Sequence, residues 1–276
     1  DKVQCESQVS PASSTQALPQ AEGMTTAPHP LAPIESALDR FREAHFWIHT
    51  LEQYYHFADP FRWHLNAFLK SIKEVPPLIQ MGLQNRPGFS AWFRVERERL
   101  SADPLMRFLS EQRDFVVHRG TLVPNSHGSI GITEGRGFKL GLTFPVHPLE
   151  DSDAAMRRYL RHVVEYRDFL EILLPDDDSL PCIERVWRMP PFDEELVDLA
   201  AQAWLRTGEM VNAVVAWMSE MPQELSLDCR HSGQQVQFKT FDRTRLNAEL
   251  RAMRRFKPHA GVVSVHSADM AFGILL

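Results

Sequence analysis

The sequence predicts a mainly α protein with small β-hairpins: a helical bundle followed by a second helical region. Three observations lead there. Apolar residues recur at helical spacing through most of residues 34–120 and again after 150. Two stretches, 129–145 and 225–241, switch to strand alternation around glycine-containing turns. Proline, often beside Asp or Gly, punctuates the chain where helices are expected to begin or stop.

Residues 1–33 are Ser, Thr, Pro, Gln and Ala with few large apolar side chains, so a disordered tail is expected. The alternative is a short segment draped on the domain through Leu31 and Ile34. The first helix carries Ile34, Leu38, Phe41, Ile48, Leu51 and Tyr55 on one stripe. Asp59 and Pro60 are expected to restart the chain as N-cap and first helical residue. The second helix carries Phe61, Leu65, Phe68, Leu69 and Ile72, and Pro76-Pro77 is expected to kink or end it. Pro87-Gly88 marks a loop before "FSAWFRVERERL", the third helix. Ser101, Asp103 and Pro104 open the fourth, "PLMRFLSEQRDFVVH", with Leu105, Phe108, Leu109, Phe115 and Val116 expected inward and Gly120 ending it. Residues 34–120 thus read as a bundle of four or five helices.

"SIGIT" and "FKLGLTF" form the expected hairpin of the 121–148 segment. From 149 to 276 a C-terminal helical region is expected. It comprises a helix over 151–174, a loop "PDDDSLP", and a long helix over 193–220 with an acidic first turn. A second hairpin "LSLDCR–HSGQ–QVQFKTF" and a charged final helix follow.

The bulk numbers are those of an ordinary soluble globular chain: 276 residues, 43% hydrophobic and 24% charged. No apolar run is long enough for a bilayer and no signal segment opens the chain, so a cytoplasmic location without membrane contact is expected. Cys5, Cys182 and Cys229 are odd in number and isolated, neither a disulfide framework nor a CxxC metal site. A net charge of −6 argues against a surface coated for nucleic acid. Arginine outnumbers lysine 24 to 6, which suits phosphate contacts but follows equally from a GC-rich coding sequence.

The spacing Arg-x4-His occurs four times, at Arg40/His45, Arg113/His118, Arg157/His162 and Arg254/His259, where chance alone gives about one. Context separates them. Only Arg113/His118 closes the last turn of a bundle helix, with Asp114 after the arginine and Phe115-Val116-Val117 between. Asp114 and His118, at i and i+4, share a helix face.

"RDFVVHRG" at the end of a short bundle resembles the signature of the HEPN superfamily: an Arg, often a polar residue, three more residues, then His. The resemblance covers residues 34–120 and leaves 121–276 without a family. It implies a bundle that dimerises so that two motif helices face each other across a cleft. Active members are metal-independent ribonucleases, often in toxin–antitoxin or antiviral systems; others have lost the activity or bind nucleotides.

The chemistry suits the residues. Metal-free RNA cleavage needs a group that moves the 2′-OH or leaving-oxygen proton and a cation for the phosphorane. Histidine titrates near neutrality, and arginine offers a fixed forked charge. The helix end and Asp114 would favour imidazolium, casting His118 as general acid. The leading expectation is therefore a homodimeric RNA endonuclease with Arg113, His118 and Asp114 as site residues and no cofactor. The other is a non-catalytic dimerisation or partner-binding module, in which Arg113 and His118 merely cap carbonyls or Arg113 pairs with Glu111. A regulatory protein partner fits either, and a ligand pocket between the halves has no motif.

His45 and His49, with Glu52 three residues on, form a facial arrangement that could hold zinc, and His56 and His64, flanking the Asp59-Pro60 break, could join them in space. The HExxH glutamate is missing, and half-buried packing is the favoured reading. Asp176–Asp178 reads as a solvated turn, "EGRG" as a strand turn, and Trp187, Trp204 and Trp217 as core. No P-loop, GxGxxG or GxSxG occurs.

Overall fold

The computed structural model describes residues 29–134, 137–164, 181–219, 224–231 and 233–241, with positions 244 and 248. Residues 1–28 of the tail expected over 1–33, the acidic turn at 176–178, the end of the 151–174 helix and most of the final helix lie outside the described residues; the last residues of that tail are ordered into a 3-10 turn.

A single 3-10 turn, Ala32–Ile34, leads into α1 (Glu35–Gln53). Ile34 is buried, as both readings of this segment expect, and Leu31 packs against the core as the draped alternative expects. Four residues then turn the chain into α2 (Ala58–Leu83). The two helices fold back on each other through Leu38, Phe41, Ile48 and Leu51 on one and Phe61, Leu65, Phe68 and Leu69 on the other, all buried.

Two local expectations are corrected here. Asp59 does not cap α2; it sits in the first turn and pairs with Arg62, while Phe57 takes the cap position. Nor do Pro76 and Pro77 end the helix, which runs unbroken to Leu83. An interior proline costs about 3 kcal/mol. Ile79 and Leu83 beyond the prolines are each wholly buried, worth roughly 1.5–3 kcal/mol apiece. Core burial of that end of the helix offsets a large part of the cost of the two prolines.

The chain continues through α3 (Phe89–Ala102) and α4 (Pro104–His118). Asp103 caps α4 as expected, its carboxylate accepting from the Leu105 and Met106 amides at 2.9 and 3.1 Å, with Pro104 in the first position.

The expected hairpin is present as β1 (Asn125–Glu134) and β2 (Gly137–Pro145), antiparallel with Ser129 opposite Thr143. After α5 (Ser152–Val164) comes an element absent from the sequence reading, β3 (Pro181–Met189). It pairs antiparallel with β1, Ile130 opposite Ile183, and carries β4 (Phe192–Glu195) and β5 (Phe238–Thr240) on its other edge. The sheet order is β2-β1-β3-β4, with β5 also on β3. The second hairpin is therefore not formed: residues 224–231 carry no strand, and β5 pairs with β3 instead.

The acidic start expected for the long helix is likewise redistributed. Asp193 and Glu194 belong to β4, and Glu195 caps α6 (Leu196–Met218), accepting from the Val197 and Asp198 amides at 2.7 and 3.4 Å. α6 is apolar on nearly every side and buried accordingly. Trp204 stacks on Phe41 at 4.8 Å and donates its indole N–H to the Phe41 carbonyl at 3.1 Å. One hydrophobic cluster runs from Ile34 through Leu109 to Val215, so α6 completes the core that α1 and α2 begin. The expected fold class, mainly α with small antiparallel β elements, is the one observed.

Candidate functional site

Leu105 and Leu109 anchor the first half of α4 in the core, but its last turn leaves it. Phe115 is 39% exposed, a correction to the expectation that it faces inward, whereas Val116 packs against the core as expected; Val117 is 54% exposed. His118 is the last helical residue and exposed. Arg113 is half-buried; its Nη1 donates to Asp114 Oδ1 at 3.2 Å, and its Nε is buried without a hydrogen-bond partner among the described residues. It makes no ion pair with Glu111 among the described residues.

Asp114 also accepts from Lys73 Nζ of α2 at 2.5 Å, and Lys73 reaches the Ser110 carbonyl at 3.4 Å. The Lys73 hydrogen bond, then that of Arg113, holds the Asp114 carboxyl below its usual range. Asp114 is thus engaged towards α2 and Arg113, with no hydrogen bond to His118. At 100° per residue, Arg113 and His118 stand about 140° apart around α4. One copy of the chain does not bring them onto a common face.

A cavity of about 440 Å³ opens beside this region, between α2, α3 and α4. Its walls include Ile72, Pro76, Pro77 and Met106, with Lys73 and Arg107 among its cations. It adjoins the motif helix without including Arg113 or His118.

The junction of bundle and sheet is polar and buried. Arg185 of β3 is wholly buried, donating to Ser126 Oγ at 2.9 Å and to the Glu150 carbonyl at 2.7 Å, its guanidinium 3.8 Å above the Trp187 ring. Burial pulls its pKa down to about 10. Trp187 donates to the Tyr55 carbonyl at 2.9 Å, and the Tyr55 hydroxyl donates to Glu195 at 3.0 Å. Burial pushes the Glu195 carboxyl up to about 7. Each of these groups is packed among neighbours and tied to backbone or cap atoms, which makes the network a clamp.

The histidines divide. His56 bonds Ser152 Oγ at 2.8 Å and the Val236 carbonyl at 3.0 Å; burial first, then the charge of Lys239, lowers its pKa to about 4. His64 stacks on Trp47 and leans on Tyr54. Neither joins His45 and His49, whose Nε2 atoms face each other at 3.3 Å. Glu52 accepts from His49 Nδ1 at 3.0 Å, and His45 stacks on Trp204 at 4.5 Å. Burial lowers the His45 pKa, and the neighbouring His49 adds to the effect. Sequence reasoning missed a third member, Cys229, which brings one donor atom within 4.8 Å of one from each histidine. Burial raises its thiol pKa, helped by Glu52 and Asp228. No spacing rule links a cysteine to a histidine 180 positions earlier, and the isolation of Cys229 from other cysteines gave no signal for it.

Among the described residues, no helix is long and apolar enough to cross a membrane. No curated protein and no solved structure matches the chain. Residues 27–136, a span that takes in α1 to α4 and β1, match the family model for bacteriophage lambda protein ea47.

Proposed function

We propose that the end of α4 is half of a metal-independent RNA-cleaving site, completed by a second copy of the chain. The observation that carries this reading is the exposed last turn of α4, where His118 stands beside uncovered Phe115 and Val117. Arg113 and His118 diverge around one helix, so a site using both draws one of them from each protomer. His118 then moves a proton of the 2′-OH or the leaving oxygen, and a facing Arg113 stabilises the phosphorane. Such a protein would act in the cytoplasm on RNA, as a defence or toxin component.

A second reading has its own observation. Arg113 is tied to Asp114, and Asp114 to Lys73, as a purely structural arginine would be. Under it, the same exposed turn is a non-catalytic dimerisation or partner-binding surface.

The test is labelled mixed-sequence RNA incubated with the purified chain in excess chelator, beside Arg113→Ala and His118→Ala. Cleavage that survives chelation and drops at least about 100-fold in both variants is the result expected of the nuclease. Intact RNA in every lane favours the binding module.

A further inference from the structure

We propose that His45, His49 and Cys229 bind a divalent transition-metal ion of the zinc class, with Glu52 as the residue that orients His49. This site is independent of the α4 motif.

The geometry of the two histidines already suits a metal. Nitrogens bound to a tetrahedral zinc at about 2.0–2.1 Å stand roughly 3.3 Å apart, the separation of the two Nε2 atoms here. Cys229 offers its donor within 4.8 Å of both. A thiolate at about 2.3 Å from the same ion needs the sulfur to close by at most about 1.2 Å. Imidazole and thiolate together are the donor set that zinc favours over magnesium or calcium.

The tautomer is set by a carboxylate. Glu52, whose side chain is only 9% exposed, accepts from His49 Nδ1 and so leaves the Nε2 lone pair directed at the site. His45 is held by its stack on Trp204. Two half-rigid imidazoles therefore converge on one point from successive turns of α1.

The third ligand is delivered by a coil held on both sides. Asn212 of α6 makes two hydrogen bonds with the Leu225 backbone, at 3.1 and 2.9 Å. Leu227 packs over Gly208, where a Cβ would collide with it. Beyond Cys229, His231 Nε2 meets Asp198 Oδ1 at 2.6 Å. The segment 225–231 is thus laid along α6 and presents its cysteine to α1. A bound ion would join the coil to α1 and keep a fourth position for water, reachable because the His49 side chain is 41% exposed.

The test uses the full chain, stripped of metal and titrated with Co²⁺ and then Zn²⁺. One equivalent of cobalt is expected to give tetrahedral visible bands and a thiolate-to-cobalt charge-transfer absorption, both displaced by zinc. Cys229→Ser abolishes the charge-transfer absorption and weakens zinc at least tenfold, whereas Cys5→Ser and Cys182→Ser keep both. Glu52→Gln weakens zinc about 10- to 100-fold while the charge-transfer absorption remains. A readout that needs no variant is alkylation of the wild-type chain, in which zinc should slow modification of the Cys229 peptide at least tenfold. Failure to take up either metal at equimolar micromolar concentration overturns the site. So does charge transfer that persists in Cys229→Ser, or alkylation of Cys229 indifferent to zinc.

Discussion

The Asp151 carboxylate accepts a hydrogen bond from the Ala58 amide at 2.7 Å, across 93 positions of sequence. It supplies the cap that Asp59 was expected to provide, and Ser152 beside it donates its amide to the His56 carbonyl at 3.0 Å. The start of α5 therefore closes the α1–α2 turn. Asp151→Ala is expected to cost about 1 kcal/mol of stability, and Asp151→Asn only a few tenths. Urea midpoints of the two variants measure the difference, and equal losses would contradict the cap.

Glu195 and His56 make opposite contributions to stability against pH. Burial raises the Glu195 carboxyl from 4.5 to about 7, so over that window the folded chain holds a proton that the unfolded chain has released. That contribution is complete below about pH 4.5 and is lost as pH rises to 7. His56 falls from 6.5 to about 4, so the unfolded chain holds the extra proton. Its contribution is complete above pH 6.5 and is lost as pH falls. Relative to wild type, Glu195→Gln should therefore lose up to roughly 3 kcal/mol as pH falls from 6.5 to 4.5, while His56→Gln gains over the same interval. Urea unfolding at three pH values reads both slopes; slopes of the same sign would refute the assignment.

Gly208 lets Leu227 and Phe41 meet over α6. An added Cβ would overlap the Leu227 side chain and lie 2.9 Å from Phe41 Cζ. Gly208→Ala should destabilise by about 1–3 kcal/mol. Because Leu227 anchors the coil that carries Cys229, the variant should also speed Cys229 alkylation in the metal-free chain. Loss of stability with unchanged thiol reactivity would separate the coil from α6.

The uncovered end of α4 predicts self-association. If a second copy covers it, Phe115→Asp with Val117→Asp should shift a sedimenting dimer to monomer with an unchanged circular-dichroism spectrum. RNA cleavage should disappear with the dimer. A dimer that survives both charges would place the interface elsewhere.

Much of the bundle was legible because its signals are short-range. The stripes of α1 and α2, the Asp103 cap and the strand alternation of the first hairpin each depend on residues a few positions apart. β3 was not. On its buried face Ile183, Trp187 and Met189 alternate, but Arg185 stands among them and breaks the apolar pattern. The structure tolerates that charge because Ser126 and the Glu150 carbonyl, both distant in sequence, accept from it and the Trp187 ring two residues on in the strand lies under it. The motif was legible as Arg113 and His118, yet its environment was not. Whether Phe115 points into the core depends on where α4 leaves it, and periodicity alone does not place that exit.

By itself the sequence determined the helical class, the places where α4 begins and ends, and the existence and far end of the first hairpin, whose first strand starts at Asn125, four residues before the expected 129. Periodicity and capping act between neighbours along the chain. Tertiary structure decided that α6 completes the core of α1 and α2, that α2 runs through two prolines, and that Cys229 comes to lie beside His45 and His49. Each of those outcomes is set by burial and contact between segments far apart in sequence, where the energy of packing outweighs what any local stretch prefers.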